Sequence, residues 1–546
     1  MSEDQVSELK TDILIVGGGV GGFAAALAAA EAGASVVLTE ESDWIGGQLT
    51  AQAVPPDEHG WIERFGCTAS YRRFRNGVRD YYRRNYPLTA AARQQPFLNP
   101  GNGWVSPLCH EPRVALAVLG EMIAPYLSNG QVTLLTEHRP VRADVDGDLI
   151  RRIVLLDRRD GLERVVTARS FLDATELGDL LALTGCESVT GFESQAETGE
   201  PSAPAIAQPD NVQAFSVCFA MEYREGEDHP IECPADYGQW RDYEPRLQPA
   251  WPGRLLSWKI THPRLMTPHE YHFAPHREPS RAFAGLWTYR RIIDRANFLP
   301  GAYASDITLM NVPMLDYLPG DLTTADEETR AQHIAQARRL SRAFFYWLQT
   351  EAPRPDGGLG WPGLRLRGDV TGTLDGLAKM PYIRESRRLR ACRTIREQDV
   401  AASCRPGQTF AENYPDSVGI GYYRIDLHPS TGGDNYIDVA SLPFQIPLGA
   451  LLPVRMKNLL AAAKNIGTTH ITNGCYRLHP VEWNIGEAAG RLAAHCLATR
   501  QSHHQIWESP SRRADFQKLL VDHGVELAWP ADLQLAAGDP HAHAMD

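Results

Sequence analysis

Residues 12–40, DILIVGGGVGGFAAALAAAEAGASVVLTE, decide the fold of this chain. The apolar run at 12–16 ends on glycines, which is typical of a strand buried on both faces. The small residues at 23–32 predict a helix, and 35–40 predict a second strand. Together the three segments predict a βαβ unit.

The glycines that follow the first predicted strand match the pattern G-x-G-x-x-G. Gly17 permits a tight turn, Gly19 lets the backbone approach a pyrophosphate, and Gly22 lets the helix pack on the sheet. Glu40, at the end of the second strand, is suited to accept hydrogen bonds from ribose hydroxyls, and its charge disfavours the 2′-phosphate of NADP. The motif predicts an adenine dinucleotide and leaves FAD and NAD open, since both present adenosine diphosphate to this turn.

Composition excludes several classes of protein. The 546 residues are 43% hydrophobic and 22% charged, which is globular composition and neither collagen-like nor disordered. The net charge of −13 opposes general binding to nucleic acid or anionic lipid. Nine cysteines form no C-x-x-C pair, which is typical of reduced thiols. We expect a soluble cytoplasmic protein without a signal peptide, a metal site, or a nucleic-acid or membrane partner.

Local patterns predict further elements along the chain. They are helices at 71–84, from Glu111 onward, at 326–350 and from about Glu482, and strands at 132–135, 150–156, 163–172 and 459–463. Between the last strand and the last helix we expect a polar loop. The six arginines of 72–84 predict a solvated helix face, which is a simpler interpretation than a nucleic-acid surface.

Five further segments resemble known flavoproteins. With 16–26 and Glu40, the segment WIGGQLT at 44–50 resembles the FAD-dependent oxidoreductases of the glutathione-reductase-like superfamily. The other four segments resemble one large bacterial family of FAD-dependent oxidoreductases. They are CHEPR at 109–113, LDATELGDL at 172–180, PYIRESRR at 381–388, and THITNGCYR at 469–477 leading into GEAAG at 486–490.

The resemblance implies a fold and a domain order. The fold is α/β, with a Rossmann-like three-layer FAD-binding domain that is discontinuous and carries an inserted β-rich α+β substrate domain. The implied segments are 1–185 for the first part of the FAD-binding domain, 186–410 for the insert, 411–500 for the second part, and 501–546 for a C-terminal extension.

FAD is the implied cofactor, and its contacts are carried over by position. They are Gly17, Gly19, Val20 and Gly22 at the pyrophosphate, Glu40 and Glu41 at the ribose, Gly46, Gly47 and Gln48 along the ribityl chain or ring, Val141 at adenine, Ala174 and Thr175 at the second approach to the cofactor, and Asn465, Gly486 and Ala488 near the flavin. Gly486 is expected to begin a helix whose positive end faces the flavin. Many relatives have a Gly-Asp pair where this chain has Lys464 and Asn465, so that contact departs from the superfamily pattern.

Three residues are candidates for chemistry. His470 is a candidate base, or else a histidine that holds neighbouring backbone. Arg477 is a candidate to bind flavin O2 or a substrate carboxylate, with a structural ion pair as the alternative. Arg384, with Glu385, forms either an active-site pair or a salt-bridged structural segment.

These residues predict an oxidoreductase that moves a hydride from a small organic metabolite to flavin. Two alternatives stay open: a flavin-dependent monooxygenase or halogenase that uses NAD(P)H and oxygen, and a flavin-carrying binding subunit without turnover. The electron acceptor, oxygen or a separate molecule, is also left open, as is a homodimer. The absence of a C-x-x-C pair disfavours a disulfide reductase.

Overall fold

The computed structural model describes residues 7–275, 285–533 and 535. The strands are β1 Ser7–Val16, β2 Val36–Glu40, β3 Val132–Thr136, β4 His138–Asp146, β5 Leu149–Asp157, β6 Glu163–Asp173, β7 Ser188–Val189, β8 Phe219–Tyr223, β9 Lys259–Thr261, β10 Pro268–Glu270, β11 Arg291–Ile293, β12 Ile307–Met310, β13 Leu364–Leu366, β14 Arg388–Leu389, β15 Ser417–Gly421, β16 Ile425–Leu427, β17 Ile437–Val439, β18 Phe444–Pro447 and β19 Leu459–Ala461. The α-helices are α1 Val20–Glu31, α2 Ala69–Asn85, α3 Ala90–Gln94, α4 Pro112–Ser128, α5 Asp179–Leu183, α6 Gln195–Thr198, α7 Tyr237–Arg241, α8 Leu286–Tyr289, α9 Glu327–Thr350, α10 Gly368–Thr371, α11 Glu397–Val400, α12 His470–Tyr476, α13 His479–Thr499, α14 His503–Glu508 and α15 Pro510–Asp522.

A seven-stranded sheet carries the first core. Its order is β3-β2-β1-β6-β5-β4, and β19 pairs with the end of β6. The strands β3, β2, β1, β6 and β19 are parallel, whereas β6, β5 and β4 form antiparallel pairs. Leu172 of β6 stands between Ile15 of β1 and Leu460 of β19, which brings the two ends of the chain into one sheet. This is a Rossmann-like α/β fold, as the sequence predicted.

The segment from 219 to 366 builds a second core. Its antiparallel sheet has the order β11-β12-β8-β13. Aromatic side chains of α9 pack there, among them Phe344 and Trp347, and Trp258 meets Trp347 at 4.9 Å between ring centroids. Tyr436, which precedes β17, belongs to the same core. The second core therefore takes a residue from beyond position 410, and the segment boundaries given above stay a prediction.

The expected polar loop before the last helix is only partly correct, because 462–469 are not helical whereas 470–476 are. Thr469 caps α12 and forms a capping box with Thr472. Helix α13 follows after only two residues, with Pro480 in its first turn. It begins at His479, so Gly486 lies inside the helix and not at its positive end.

The expected solvated face of α2 is only partly correct, since four of the six arginines reach solvent and two do not. Arg75 and Arg79 are fully buried, and both contact the carboxylate of Glu63. Arg75 donates a further hydrogen bond to Glu58 at 2.8 Å. The helix therefore turns part of its basic side into the protein. Within the described ranges, every helix is too short or too polar to traverse a lipid bilayer.

Candidate active site

The glycine turn between β1 and α1 is packed too closely for any side chain. Gly17 has φ of +99°, and a Cβ on it would lie 2.2 Å from the carbonyl oxygen of Ala174 in the loop after β6. A Cβ on Gly22 would lie 1.8 Å from the carbonyl oxygen of Gly17. The turn therefore brings the N-terminus of α1 directly against the ends of β1 and β6.

A cleft of about 790 Å³ opens at these strand ends, and we call it the cofactor cleft. Seven residues that the resemblance assigned to FAD line it, namely Gly17, Gly19, Glu40, Glu41, Gly47, Ala174 and Thr175. The far wall includes His138 and Pro140 of β4, and Met380, Pro381 and Ile383 close the cleft from the insert side. Gly46 N donates to Gly18 O at 2.7 Å, which holds the second glycine pair against the first turn.

Glu40, which the resemblance assigns to the ribose, lines the cleft in a fixed position. Its Oε2 accepts a hydrogen bond from Gly18 N at 3.0 Å, and its Oε1 accepts from Ser42 N and Oγ at 2.9 and 2.8 Å. Burial raises the pKa of Glu40 to about 7, although the hydrogen bonds from Ser42 lower it. Each carboxylate oxygen has lone pairs to spare, so Glu40 can also accept ribose hydroxyls.

Two more carboxylates and one buried cation lie beside the glycine turn. A Cβ on Gly19 would meet Glu176 Oε1 at 2.9 Å and Glu482 Oε1 at 4.0 Å. Lys464 Nζ, fully buried, forms an ion pair with Glu176. Burial raises the pKa of Glu482 to about 7, and Lys464 opposes that shift. The lysine that replaces the superfamily's glycine therefore supplies a positive charge beside the turn.

The remaining residues assigned to FAD lie outside the lining of the cofactor cleft. Val20 begins α1, and Gly22 contacts the glycine turn itself. Val141 is in β4, one residue beyond the lining Pro140. Asn465 is fully buried, where its side chain donates to Asp173 O at 3.1 Å and accepts from Ala463 N at 3.2 Å.

Gly486 and Ala488 lie within the buried middle of α13. A Cβ on Gly486 would lie 1.9 Å from Gly21 O, so this glycine lets α13 pack against α1. The expectation that Gly486 opens a helix toward the flavin is therefore corrected, because the helix starts seven residues earlier at His479. The His479 Nδ1 accepts a hydrogen bond from Asp57 N at 3.1 Å, and burial lowers the pKa of His479 to about 4.

A second cavity of about 700 Å³ lies between the insert and the β16–β17 pair, and we call it the insert cavity. Its aromatic wall is Tyr271, Tyr289, Tyr423 and Tyr436. Its charged wall is Arg290, Arg424, Asp426, His428 and Asp438. Aromatic walls with a few converging polar groups are typical of small-molecule sites.

A chain of hydrogen bonds leads from Gln48, which follows the lining Gly47, toward the wall of the insert cavity. Gln48 Nε2 donates to Arg477 O at 3.0 Å. The Arg477 side chain in turn donates to Tyr382 Oη at 2.9 Å and lies 3.2 Å from Asp426 Oδ2 in the wall of the insert cavity. Gln48 is one of the residues that the resemblance places along the ribityl chain or ring of FAD.

His428 lines the insert cavity and is paired with Asp316, which is outside the lining. His428 Nδ1 lies 2.6 Å from Asp316 Oδ2. Asp316 is buried and is held from its other side by Arg384 Nη1 at 3.1 Å and Ser216 Oγ at 2.9 Å. An ionised carboxylate only accepts hydrogen bonds, so the neutral imidazole carries its proton on Nδ1 and keeps a lone pair on Nε2. Sequence reasoning missed His428 and Asp316 and found only Arg384.

His470 is built into a different, closed network. Its Nδ1 lies 2.9 Å from Glu385 Oε1, its backbone N donates to Glu193 Oε2 at 3.0 Å, and its ring stacks on Phe192. Arg388 forms an ion pair with Glu385 in the same network. Among the described residues that line the two cavities, His470 does not occur. Arg384 and Arg477 do not line the cavities either, but Arg477 contacts the lining Asp426, and Arg384 contacts Asp316, the partner of the lining His428. His470 has no such contact among the hydrogen bonds and ion pairs of the described residues.

Comparison with known proteins identifies the family. The model of the family described as FAD dependent oxidoreductase matches residues 12–520. The chain belongs to the FAD-dependent oxidoreductase family. Its cofactor is FAD, in agreement with the sequence prediction. A comparison with curated proteins returned no match.

Solved structures of several flavoproteins resemble parts of this FAD-dependent oxidoreductase. L-proline dehydrogenase from P. horikoshii aligns with a TM-score of 0.19 and 15% identity over 35% of this chain and 26% of its own. The flavin-dependent monooxygenase PieE aligns at 0.23 and 15% over 40% and 36%. Adenylylsulfate reductase from Archaeoglobus fulgidus aligns at 0.21 and 18% over 32% and 31%. In each case the aligned part is less than half of the other protein.

The residues of the cofactor cleft fit FAD. The glycine turn presents the N-terminus of α1 to a pyrophosphate, and Lys464 adds a cation beside it. Further along the path of the cofactor, the side-chain oxygens of Gln48 and Gln52 are buried and have no hydrogen-bond partner. These oxygens can accept hydrogen bonds from ribityl hydroxyls or ring N–H groups of the flavin.

Proposed function

We propose that the protein is a flavin-dependent dehydrogenase or oxidase that acts on a small organic metabolite in the insert cavity. The proposal is carried by the His428–Asp316 pair, because His428 is a proton acceptor in the wall of a cavity that hydrogen bonds through Arg477 connect to Gln48, next to the cofactor cleft. The reaction removes a hydride from a C–H bond next to nitrogen or oxygen and a proton from that heteroatom, which leaves a C=N or C=O bond.

In this proposal each group has one task. FAD, when bound, would supply the acceptor for the hydride and its two electrons, which would pass later to oxygen or a separate acceptor. His428 Nε2 receives the proton. Asp316 keeps the imidazole in the reactive tautomer and stabilises the imidazolium that forms, and Arg384 holds Asp316. Hydride transfer requires the substrate and the flavin ring to be in contact, so Tyr382 and Arg477 would lie at the edge of that contact and not between the two.

The test is an anaerobic screen of amines, amino acids, alcohols and sugars that follows bleaching of the bound flavin. With a substrate in hand, His428→Asn is expected to slow flavin reduction by about 10²–10⁴-fold, the usual contribution of a general base. The FAD content should not change. His523→Asn is the matched control, since His523 is exposed just after α15 and its side chain contacts only Leu519 O at 2.8 Å.

Two results would contradict the proposal. One is rapid consumption of NAD(P)H and oxygen with no bleaching by any metabolite under nitrogen, which is the behaviour of a monooxygenase. The other is a substrate whose rate of flavin reduction is the same in His428→Asn as in the unmodified protein. His470→Asn, measured alongside, compares the histidine chosen from sequence with the one chosen from structure.

A further inference from the structure

The acidic groups in the wall of the insert cavity already have cationic partners. Asp438 accepts a hydrogen bond from Arg424 Nε at 2.6 Å. Asp426 lies 3.2 Å from Arg477 Nη2. These carboxylates are neutralised within the protein, so they do not favour a cationic ligand in the cavity.

Arg290, on the same wall, has donors without acceptors. Its Nη2 lies 3.4 Å from Asp57 Oδ1, but its Nε and Nη1 are buried and have no hydrogen-bond partner. The hydroxyl of Tyr436 is buried without a partner as well. Burial works against the charged guanidinium, but Asp57 and the neighbouring tyrosines raise the pKa of Arg290, so it stays positive. Buried donors of this kind are normally satisfied, which indicates a ligand rich in acceptor oxygens.

We infer that Arg290 binds a carboxylate of the substrate, which makes small organic carboxylic acids with an apolar or aromatic body the substrate class. The inference rests on the proposed function, since it takes the insert cavity as the substrate chamber. Each of these free donors shares one side of the guanidinium with Nη2, and such a fork matches the two oxygens of a carboxylate. The rings of Tyr271 and Tyr289 supply the apolar surface that packs against the rest of the molecule.

Binding to the FAD-loaded protein tests this without turnover. Isothermal titration calorimetry compares phenylacetate, 3-phenylpropionate and hexanoate with their uncharged amides and with phenyl phosphate. We expect at least one acid to bind about tenfold or more tightly than its amide, as a charge-assisted pair should. Arg290→Gln is expected to abolish that preference and to leave the FAD content unchanged.

Two further variants distinguish the loss of the carboxylate contact from a folding defect. Arg290→Lys keeps a positive charge beside Asp57 but loses the fork, and its preference for the acid should be clearly weaker than in the unmodified protein. Arg295→Gln removes the same charge from an exposed site on the insert, where the side chain contacts Ala304 O at 3.3 Å, and should bind the acids normally.

The inference is overturned if no acid binds, if acids and amides bind equally, if phenyl phosphate is preferred, or if Arg290→Gln folds and keeps the preference. Failure of the proposed function looks different. In that case the acids bind through Arg290, but no metabolite of any class bleaches the flavin.

Discussion

Single side chains beside the glycine turn set the charge that the cofactor meets. Glu176 and Glu482 both approach Gly19, and Lys464 is the cation buried between them. Glu482 Oε1 also accepts a hydrogen bond from Gly21 N at 3.4 Å, at the N-terminus of α1. The carboxylate therefore occupies an amide that an anionic phosphate would also approach.

This arrangement predicts that FAD binding weakens as the pH rises. Burial holds the pKa of Glu482 near 7, so the side chain is protonated below that value and ionised above it. The diphosphate of FAD favours the protonated form, and binding above pH 7 must take up a proton. The dissociation constant, measured by flavin fluorescence between about pH 6 and pH 8.5, should rise above pH 7 by at most about tenfold per unit.

Glu482→Gln should flatten that rise, because glutamine cannot ionise and still accepts from Gly21 N. Glu40 titrates in the same range, so Glu40→Gln measured in parallel separates its share from that of Glu482. An equally steep pH dependence in Glu482→Gln would show that Glu482 does not cause the rise in the dissociation constant.

At the scale of elements, the packing of α13 on α1 positions the glycine turn. A Cβ on Gly490 would lie 2.2 Å from Ala25 O, as one on Gly486 would lie 1.9 Å from Gly21 O. The two helices therefore approach each other through backbone, and neither contact can be relieved by turning a side chain.

Gly490→Ala is expected to lower the free energy of unfolding by about 1–3 kcal/mol, the usual cost of overpacking. Gly120→Ala is the matched control, because Gly120 is also inside a helix, α4, and a Cβ on it would have no neighbour within 4 Å among the described residues. It should gain about 0.5–1 kcal/mol from helix propensity. Urea unfolding measures the free energy of unfolding of both variants. A Gly490→Ala protein as stable as the original would contradict the prediction.

Sequence patterns predicted the elements that depend only on residues close together in the chain. The turn at Gly17 and the strands on either side of it need only glycine and apolar runs, and the structure has them. Helix α12 was missed because its residues, among them Thr472 and Gly474, are weak helix formers, and its start depends on the cap at Thr469. The His428–Asp316 pair spans 112 positions and has no sequence motif, so only the folded chain brings it together.

At the scale of the whole molecule, the C-terminal segment from 524 to 529 ties separate parts together. Gly524 O accepts from Ala69 N at 2.9 Å, and Glu526 accepts from Gly66 N at 3.0 Å. Trp529 Nε1 donates to Phe444 O at 3.0 Å, in strand β18. Its ring also packs on Trp61, with centroids 5.5 Å apart.

Trp529→Ala should therefore destabilise the protein by about 3–5 kcal/mol, the cost of removing a large buried aromatic side chain. Leu374→Ala provides the control, because Leu374 is fully exposed and its removal should change stability by no more than about 0.5 kcal/mol. Chemical denaturation measures both. An effect of Trp529→Ala as small as that of Leu374→Ala would show that the segment is dispensable.

The contact between α1 and α13 can form only late in the synthesis of the chain. Gly21 and Glu482 are 461 positions apart in the chain. A ribosome that adds about 5–20 residues per second needs roughly 20–90 s to make the second helix after the first. During that interval the alanine-rich face of α1 lacks its partner helix. Exposed apolar surface of this kind is what chaperones bind, so we expect them to bind the nascent chain before it can hold a cofactor.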